Sequence, residues 1–154
     1  MNEFIHIGCP KTATTTLQNN LFAQHPEIAS IGKPYDSREG ELATQMYSLI
    51  TKDDVNFDFN RCQQAISREK KSKYVDGVRV TMLSEEKIFV SPSFEEAARR
   101  LKKLFPTAKI IVTIRNQLDL IVSWYCQGCY NGRYWNGRVY QTNTVTHILP
   151  LNSF

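Results

Sequence analysis

The chain has 154 residues, of which 42% are hydrophobic, 22% charged and 11% aromatic, and it carries a net charge of +4. That length supports one domain with a real core and excludes two ordinary ones. The charge content and a mean hydropathy of -0.38 exclude a mainly disordered chain. The mild excess of 19 Lys and Arg over 15 Asp and Glu suits an anionic ligand. It lacks the dense basic stripe of a nucleic-acid-binding surface.

No apolar run approaches the roughly 20 residues of a membrane helix, so no stable membrane insertion is expected. Residues 1–7 lack the basic region, long apolar stretch and cleavage site of a signal peptide, and a cytoplasmic location is expected. Two basic clusters, at 68–73 and 99–103, read as solvated faces. Four cysteines, Cys9, Cys62, Cys126 and Cys129, do not make a disulfide framework in such a chain. Cys126 and Cys129 have C-x-x-C spacing, but no second close pair supplies further zinc ligands, and no metal site is expected.

In chain order, Phe4-Ile5-His6-Ile7 predicts a short first strand, with His6 packed in the core. A tight turn follows, then a helix over 14–24 burying Leu17 and Leu21, ended by His25-Pro26 because a residue before proline is pushed out of the α region. Residues 28–31 predict a second strand. Leu42, Ala43, Met46, Leu49 and Ile50 form a helical stripe, and a weaker helix is expected over 61–68. The β-branched and aromatic content of 74–80 predicts a strand, weakened by Gly77. Ser93 and Glu96 have capping-box spacing ahead of a helix with Phe94, Ala97, Ala98, Leu101 and Leu104 on one face, closed by Pro106. On its other face Glu95 and Arg99, and Glu96 and Arg100, have ion-pair spacing.

The apolar run at 109–114 predicts a strand covered on both faces. Asn116 is placed to cap a last helix over 117–126, with Leu118, Ile121, Val122 and Tyr125 in register. Strands alternating with amphipathic helices define an α/β fold with a parallel sheet flanked by helices. Beyond Tyr130 two Asn-Gly turn signals appear and no further unit is completed. The expectation is a domain over 1–130, an irregular tail over 131–154, and a fold incomplete at its carboxyl end.

The strongest chemical signal is Gly8-Cys9-Pro10-Lys11-Thr12-Ala13-Thr14-Thr15-Thr16 between the first strand and a helix. Backbone N–H groups and the helix dipole converge there and favour negative charge. Lys11 adds a cation and Thr14, Thr15 and Thr16 add hydroxyl donors, so a tetrahedral anion is the natural occupant. The segment departs from the Walker A pattern G-x-x-x-x-G-K-[ST]. Ala13 stands at the second glycine, Thr14 at the lysine, and the lysine comes early at Lys11. An ordinary ATP or GTP loop is disfavoured.

Pro10-Lys11-Thr12-Ala13-Thr14-Thr15 resembles the 5′-phosphosulfate loop, P-K-[TS]-G-[TS]-[TS], of sulfotransferases that use 3′-phosphoadenosine 5′-phosphosulfate (PAPS). Residues 111–125 are similar to that family's 3′-phosphate motif, a strand followed by R-[ND]-P-x-[DE]-x-x-x-S-x-[YFW], with Gln117 in place of proline. The resemblance covers residues 4 to 130 and looks like an amino-terminal or truncated form. It implies a P-loop-like fold and transfer of a sulfuryl group to a hydroxyl or amine. The implied acceptor is a small molecule, carbohydrate or lipid, and the family needs no metal. It implies that Lys11 neutralises charge on the bridging oxygen, that Thr12, Ala13, Thr14, Thr15 and Thr16 hold the 5′-phosphosulfate, and that Arg115 and Ser123 hold the 3′-phosphate. Glu39 and Glu85 are the candidates for the base that deprotonates the acceptor. The other classes weighed are a P-loop small-molecule kinase and a non-catalytic anion- or nucleic-acid-binding domain. Turnover of ATP with magnesium would mark the kinase, and steep salt dependence of nucleic-acid binding the binding domain.

Overall fold

The computed structural model describes residues 2–32, 40–89 and 91–130. The chain forms two compact units, Met1–Arg115 and Asn116–Phe154. The first holds a four-stranded parallel sheet in the order β2-β3-β1-β4, with β1 Asn2–Gly8, β2 Ile28–Ile31, β3 Val80–Ser84 and β4 Lys109–Thr113. Strand β1 is an inner strand of this sheet. It pairs with β3 from Asn2↔Val80 to His6↔Ser84 and with β4 from Phe4↔Lys109 to Gly8↔Thr113.

The alternation of β1 sorts the layers. Ile5 and Ile7 point into a core with Ile31 and Leu83 of the sheet and with three helices: α2 Glu41–Thr51, α3 Phe59–Lys73 and α4 Phe94–Leu104. Leu42, Met46, Leu49 and Ile50 of α2 are buried there as their periodicity requires. His6 points to the opposite face, under the short helix α1 Thr14–Thr16 and its continuation as a π-helical turn, Leu17–Phe22. The wider π turn changes which side chain faces inward. Phe22 is buried with its ring edge-on to His6 at 5.3 Å, whereas Leu21, expected in the core, is exposed.

Helix α3 is longer than its sequence pattern indicates, because Asp58 caps it by accepting from the Arg61 N–H at 2.9 Å. Its last turn holds Lys70, Lys71 and Lys73, where cations complement the helix dipole. Lys70 pairs with Glu3, so the 68–73 cluster is not a purely solvated face.

Four further expectations are corrected. The third strand lies at 80–84 rather than 74–80: Val78 N–H bonds back to Val75 O at 3.2 Å, Gly77 adopts φ +94°, and Tyr74 and Val75 stay exposed. The Asp76-Gly77 turn outweighs the β propensity of its flanks. The capping box of α4 does not form, since Ser93 makes no side-chain cap bond. Arg100, expected on the solvated face, is 3% exposed and donates to Asp54 Oδ1 at 2.7 Å, to Leu49 O at 2.8 Å and to Lys52 O at 2.7 Å, closing the end of α2. The fourth correction concerns β4, expected to be covered on both faces. It forms the edge of the described sheet, and Ile110, Ile111 and Val112 remain exposed.

In the second unit, helix α5 spans Gln117–Tyr130. Asn116 caps it as expected, its Oδ1 accepting from Leu118 N–H at 3.0 Å. No helix among the described residues is long and apolar enough to cross a membrane. The thiols of Cys9, Cys62 and Cys126 are free, the first two buried. Burial, with the nearby Asp58 carboxylate, pushes the Cys62 thiol up to about 12. Among the described residues no group of three or more His, Cys, Asp or Glu is placed to hold a metal ion.

Candidate anion-binding site

Strand order places one crevice. β1 has β3 on one side and β4 on the other, and the chain leaves toward opposite edges of the sheet. Ligands of open parallel sheets bind at the carboxyl ends of strands around such a reversal. The loop and the first residues of the second motif, up to Arg115, meet there. Cys9 N–H bonds to Thr113 O at 3.2 Å, extending the β1–β4 ladder by one step before the loop turns away.

The loop is tight and left-handed at two positions. Lys11 has φ +70° and Ala13 φ +62°, both unusual for residues with a Cβ. Left-handed residues alternating with an ordinary one turn successive N–H groups to one side, a concavity suited to anions. Such backbone strain costs on the order of 1–3 kcal/mol per residue. Thr12 N–H is taken by Cys9 O at 3.2 Å. The first helical bond runs from Leu17 N–H to Ala13 O at 3.0 Å. The N–H groups of Thr14, Thr15 and Thr16 therefore have no carbonyl within the helix to receive them.

The threonine hydroxyls divide. Thr12 Oγ1 donates to Cys9 O at 2.5 Å and lies 2.9 Å from Thr113 Oγ1. Thr14 is buried, and its hydroxyl donates to Glu86 Oε2 at 2.8 Å. These two hydroxyls brace the loop, so a ligand would meet the backbone N–H of Thr14 rather than the side chain of Thr12 or Thr14. Thr15 is half-buried and Thr16 exposed.

Lys11 and Arg115 come together. Arg115, two residues beyond β4, donates from Nη1 to the carbonyl of Lys11 at 3.2 Å. Neither cation has a carboxylate partner among the described residues. Two unneutralised cations at the open end of the sheet make a field that attracts anions. Ser123 lies on α5 in the second unit. Glu85 is 7% exposed and caps the 3₁₀ turn Glu86–Ile88, its Oε1 accepting from Lys87 N–H at 3.1 Å. Glu39 lies outside the described residues.

Sequence reasoning missed the polar layer beneath the loop. His6, read as a packed core residue, is indeed fully buried, but it is also bonded on both ring nitrogens. Its Nδ1 is 2.8 Å from Ser84 Oγ and its Nε2 is 3.1 Å from Thr113 Oγ1. Gln18 Nε2 reaches the same Ser84 Oγ at 2.9 Å. The available signal was a polar residue following an apolar one near the carboxyl end of each of three strands: His6, Ser84 and Thr113.

Burial lowers the His6 pKa below its ordinary 6.5, with the Glu86 carboxylate opposing weakly. As pH falls through about 6.5 the unfolded chain takes up this proton before the folded one does. The stability present above that pH is therefore lost on acidification toward the lower folded value. Urea midpoints at pH 7.5 and 5.5 should fall further for the wild type than for His6→Gln. Equal falls would show that His6 does not carry the linkage.

A parallel sheet whose central strand opens into a lysine-bearing loop, braced by an arginine just beyond the neighbouring strand, defines a P-loop-like α/β protein. The sequence model of the sulfotransferase family matches residues 4–149, nearly the whole chain, and the protein belongs to that family. The match runs past residue 130, so most of the tail expected to lie outside the resemblance falls within the family span. No curated protein and no solved structure matches the chain.

Proposed function

We propose that this chain transfers a sulfuryl group from PAPS to a hydroxyl or amine of a small-molecule, carbohydrate or lipid acceptor. The observation that carries this reading is the hydrogen bond from Arg115 to the Lys11 carbonyl, which sets two cations without carboxylate partners among the described residues at the carboxyl ends of β1 and β4. PAPS, when bound, supplies the activated sulfuryl group, and the reading requires no metal ion. Lys11 stabilises the negative charge that builds as the bond to the leaving phosphate weakens, and the N–H groups of Thr14, Thr15 and Thr16 hold the adjoining oxygens. Ala13 sets the left-handed turn that presents them, and the backbone of Thr12 closes the loop. Arg115 binds the 3′-phosphate, and for Ser123, which lies in the other unit, the same role rests on the sequence motif alone. Of the two carboxylates considered for the base, Glu39 is preferred, because Glu85 is buried and used as a helix cap. A cytoplasmic setting is part of the same reading, and the free thiols suit a reducing compartment.

Calorimetric titration with PAP, the desulfonated product, tests the donor half of this reading. The wild type is expected to bind in the micromolar range and Arg115→Ala at least about tenfold more weakly, a difference of about 1.4 kcal/mol. Absence of PAP binding by a folded wild-type chain would refute it.

A further inference from the structure

The hydrogen bonds beneath the loop have a direction that the individual distances do not state. Thr12 has one hydroxyl proton, and it is given to Cys9 O at 2.5 Å. The 2.9 Å contact between Thr12 and Thr113 must therefore be donated by Thr113. With its own proton spent, Thr113 Oγ1 accepts at its contact with His6, so Nε2 of the imidazole carries a proton. In a neutral ring Nδ1 is then the acceptor, and Ser84 O–H donates to it across 2.8 Å. Ser84 Oγ in turn accepts from the amide of Gln18 at 2.9 Å. Every member gives one proton onward and receives one, except at the two ends.

We infer that His6 is a positioning residue for the anion-binding loop, acting through a one-way hydrogen-bond chain from Gln18 through Ser84, His6, Thr113 and Thr12 to the carbonyl of Cys9. The chain crosses β3, β1 and β4 and ends inside the loop, one residue before Pro10 and two before Lys11. It ties the left-handed turn at Lys11 and Ala13 to the most buried part of the sheet. An imidazole suits this place because its two nitrogens present an acceptor and a donor on opposite edges, matching hydroxyls on the two neighbouring strands. A second proton on His6 would make Nδ1 a donor toward Ser84 and would leave the Ser84 hydroxyl proton without its imidazole acceptor, breaking the direction of the chain. Glu86, whose carboxylate takes the Thr14 hydroxyl, is the charged group whose field reaches His6. Gln18 and Phe22 from the π turn, Ser84 from β3 and Thr113 from β4 are uncharged.

This inference deepens the proposed function by naming what holds that site in its binding shape, and its test separates the two. Thr113 is replaced by Val, which keeps the volume and removes the hydroxyl, and by Ser, which keeps the hydroxyl and removes the methyl. Hydrogen exchange of the Thr12 amide and nitrogen NMR shifts of the His6 ring are read in each, without ligand. The wild-type ring should be the Nε2–H tautomer. Thr113→Val should speed exchange of the Thr12 amide about tenfold or more, while Thr113→Ser stays within about twofold of wild type. A packing role predicts the reverse order, and that result, or an Nδ1–H tautomer, overturns the inference. PAP affinity measured on the same proteins should follow the same order. A wild type that fails to bind PAP but shows the expected tautomer and exchange order refutes the proposed function and leaves the positioning role standing.

Discussion

Replacing Lys11 by alanine is expected to reduce sulfuryl transfer by about a thousandfold or more while leaving the fold intact. Loss of a single preorganised group that stabilises developing negative charge commonly costs a factor of about a hundred to a thousand in turnover. Lys11 also contributes a full charge to ground-state attraction. The fold should tolerate the change, because the ammonium is partly exposed and makes no ion pair among the described residues. Alanine meets the same left-handed backbone demand that Lys11 already meets at φ +70°. The measurement is release of PAP from labelled PAPS in the presence of a panel of hydroxyl and amine acceptors, beside thermal melts of both proteins. Activity equal to the wild type would remove Lys11 from the mechanism.

Gly8→Ala should damage both the fold and the loop. A Cβ at this position would stand 1.9 Å from Thr14 Cγ2, 3.2 Å from Thr113 Oγ1 and 3.3 Å from His6 Cε1. The first distance is less than any non-bonded carbon contact allows. Thr14 has little freedom to retreat: it is buried, β-branched and bonded to Glu86. Helix α1 must therefore shift away from the strand, carrying the loop with it. Overpacking of this kind costs about 1–3 kcal/mol, and for a domain of this size the melting temperature should fall by roughly ten degrees. PAP binding should be lost at temperatures where the variant remains folded, because the loop itself has moved. A melting temperature within a degree of wild type would show that the strand–helix contact is looser than described.

How far the sequence could be read depended on the distance over which each signal acts. The strand at 28–31, the helix around 42–50 and the stop at Pro106 are local matters of periodicity and proline geometry, and they stand as expected. The third strand was misplaced because β-branched residues mark both a strand and the flanks of a turn, and the Asp76-Gly77 turn decides between them. The first helix was turned incorrectly because an α period was assumed where the chain winds as a π turn, so Phe22 rather than Leu21 reaches His6. Ser93 and Glu96 have the right spacing for a capping box, yet spacing alone does not orient the serine hydroxyl. Arg100 was read as one half of a surface pair. It does approach Glu96, at 3.9 Å, but its burial and its bonds to Leu49 O and Lys52 O depend on a partner helix brought in from elsewhere.

The sequence by itself determined the alternation of strand and helix, the position of the loop from Gly8 to Thr16, and the presence of Lys11 and Arg115 in two motifs of one family. These are properties of short segments, written in residue type and spacing. Only the tertiary structure decided that β1 lies between β3 and β4, because strand order depends on which apolar faces bury one another across the whole chain. That order brings Arg115 to the carbonyl of Lys11, more than a hundred residues away in the chain, and stacks His6, Ser84 and Thr113 beneath the loop. It also turned the hydroxyls of Thr12 and Thr14 inward, a hydrogen bond's direction being set by the partners within about 3 Å of it rather than by its neighbours in sequence.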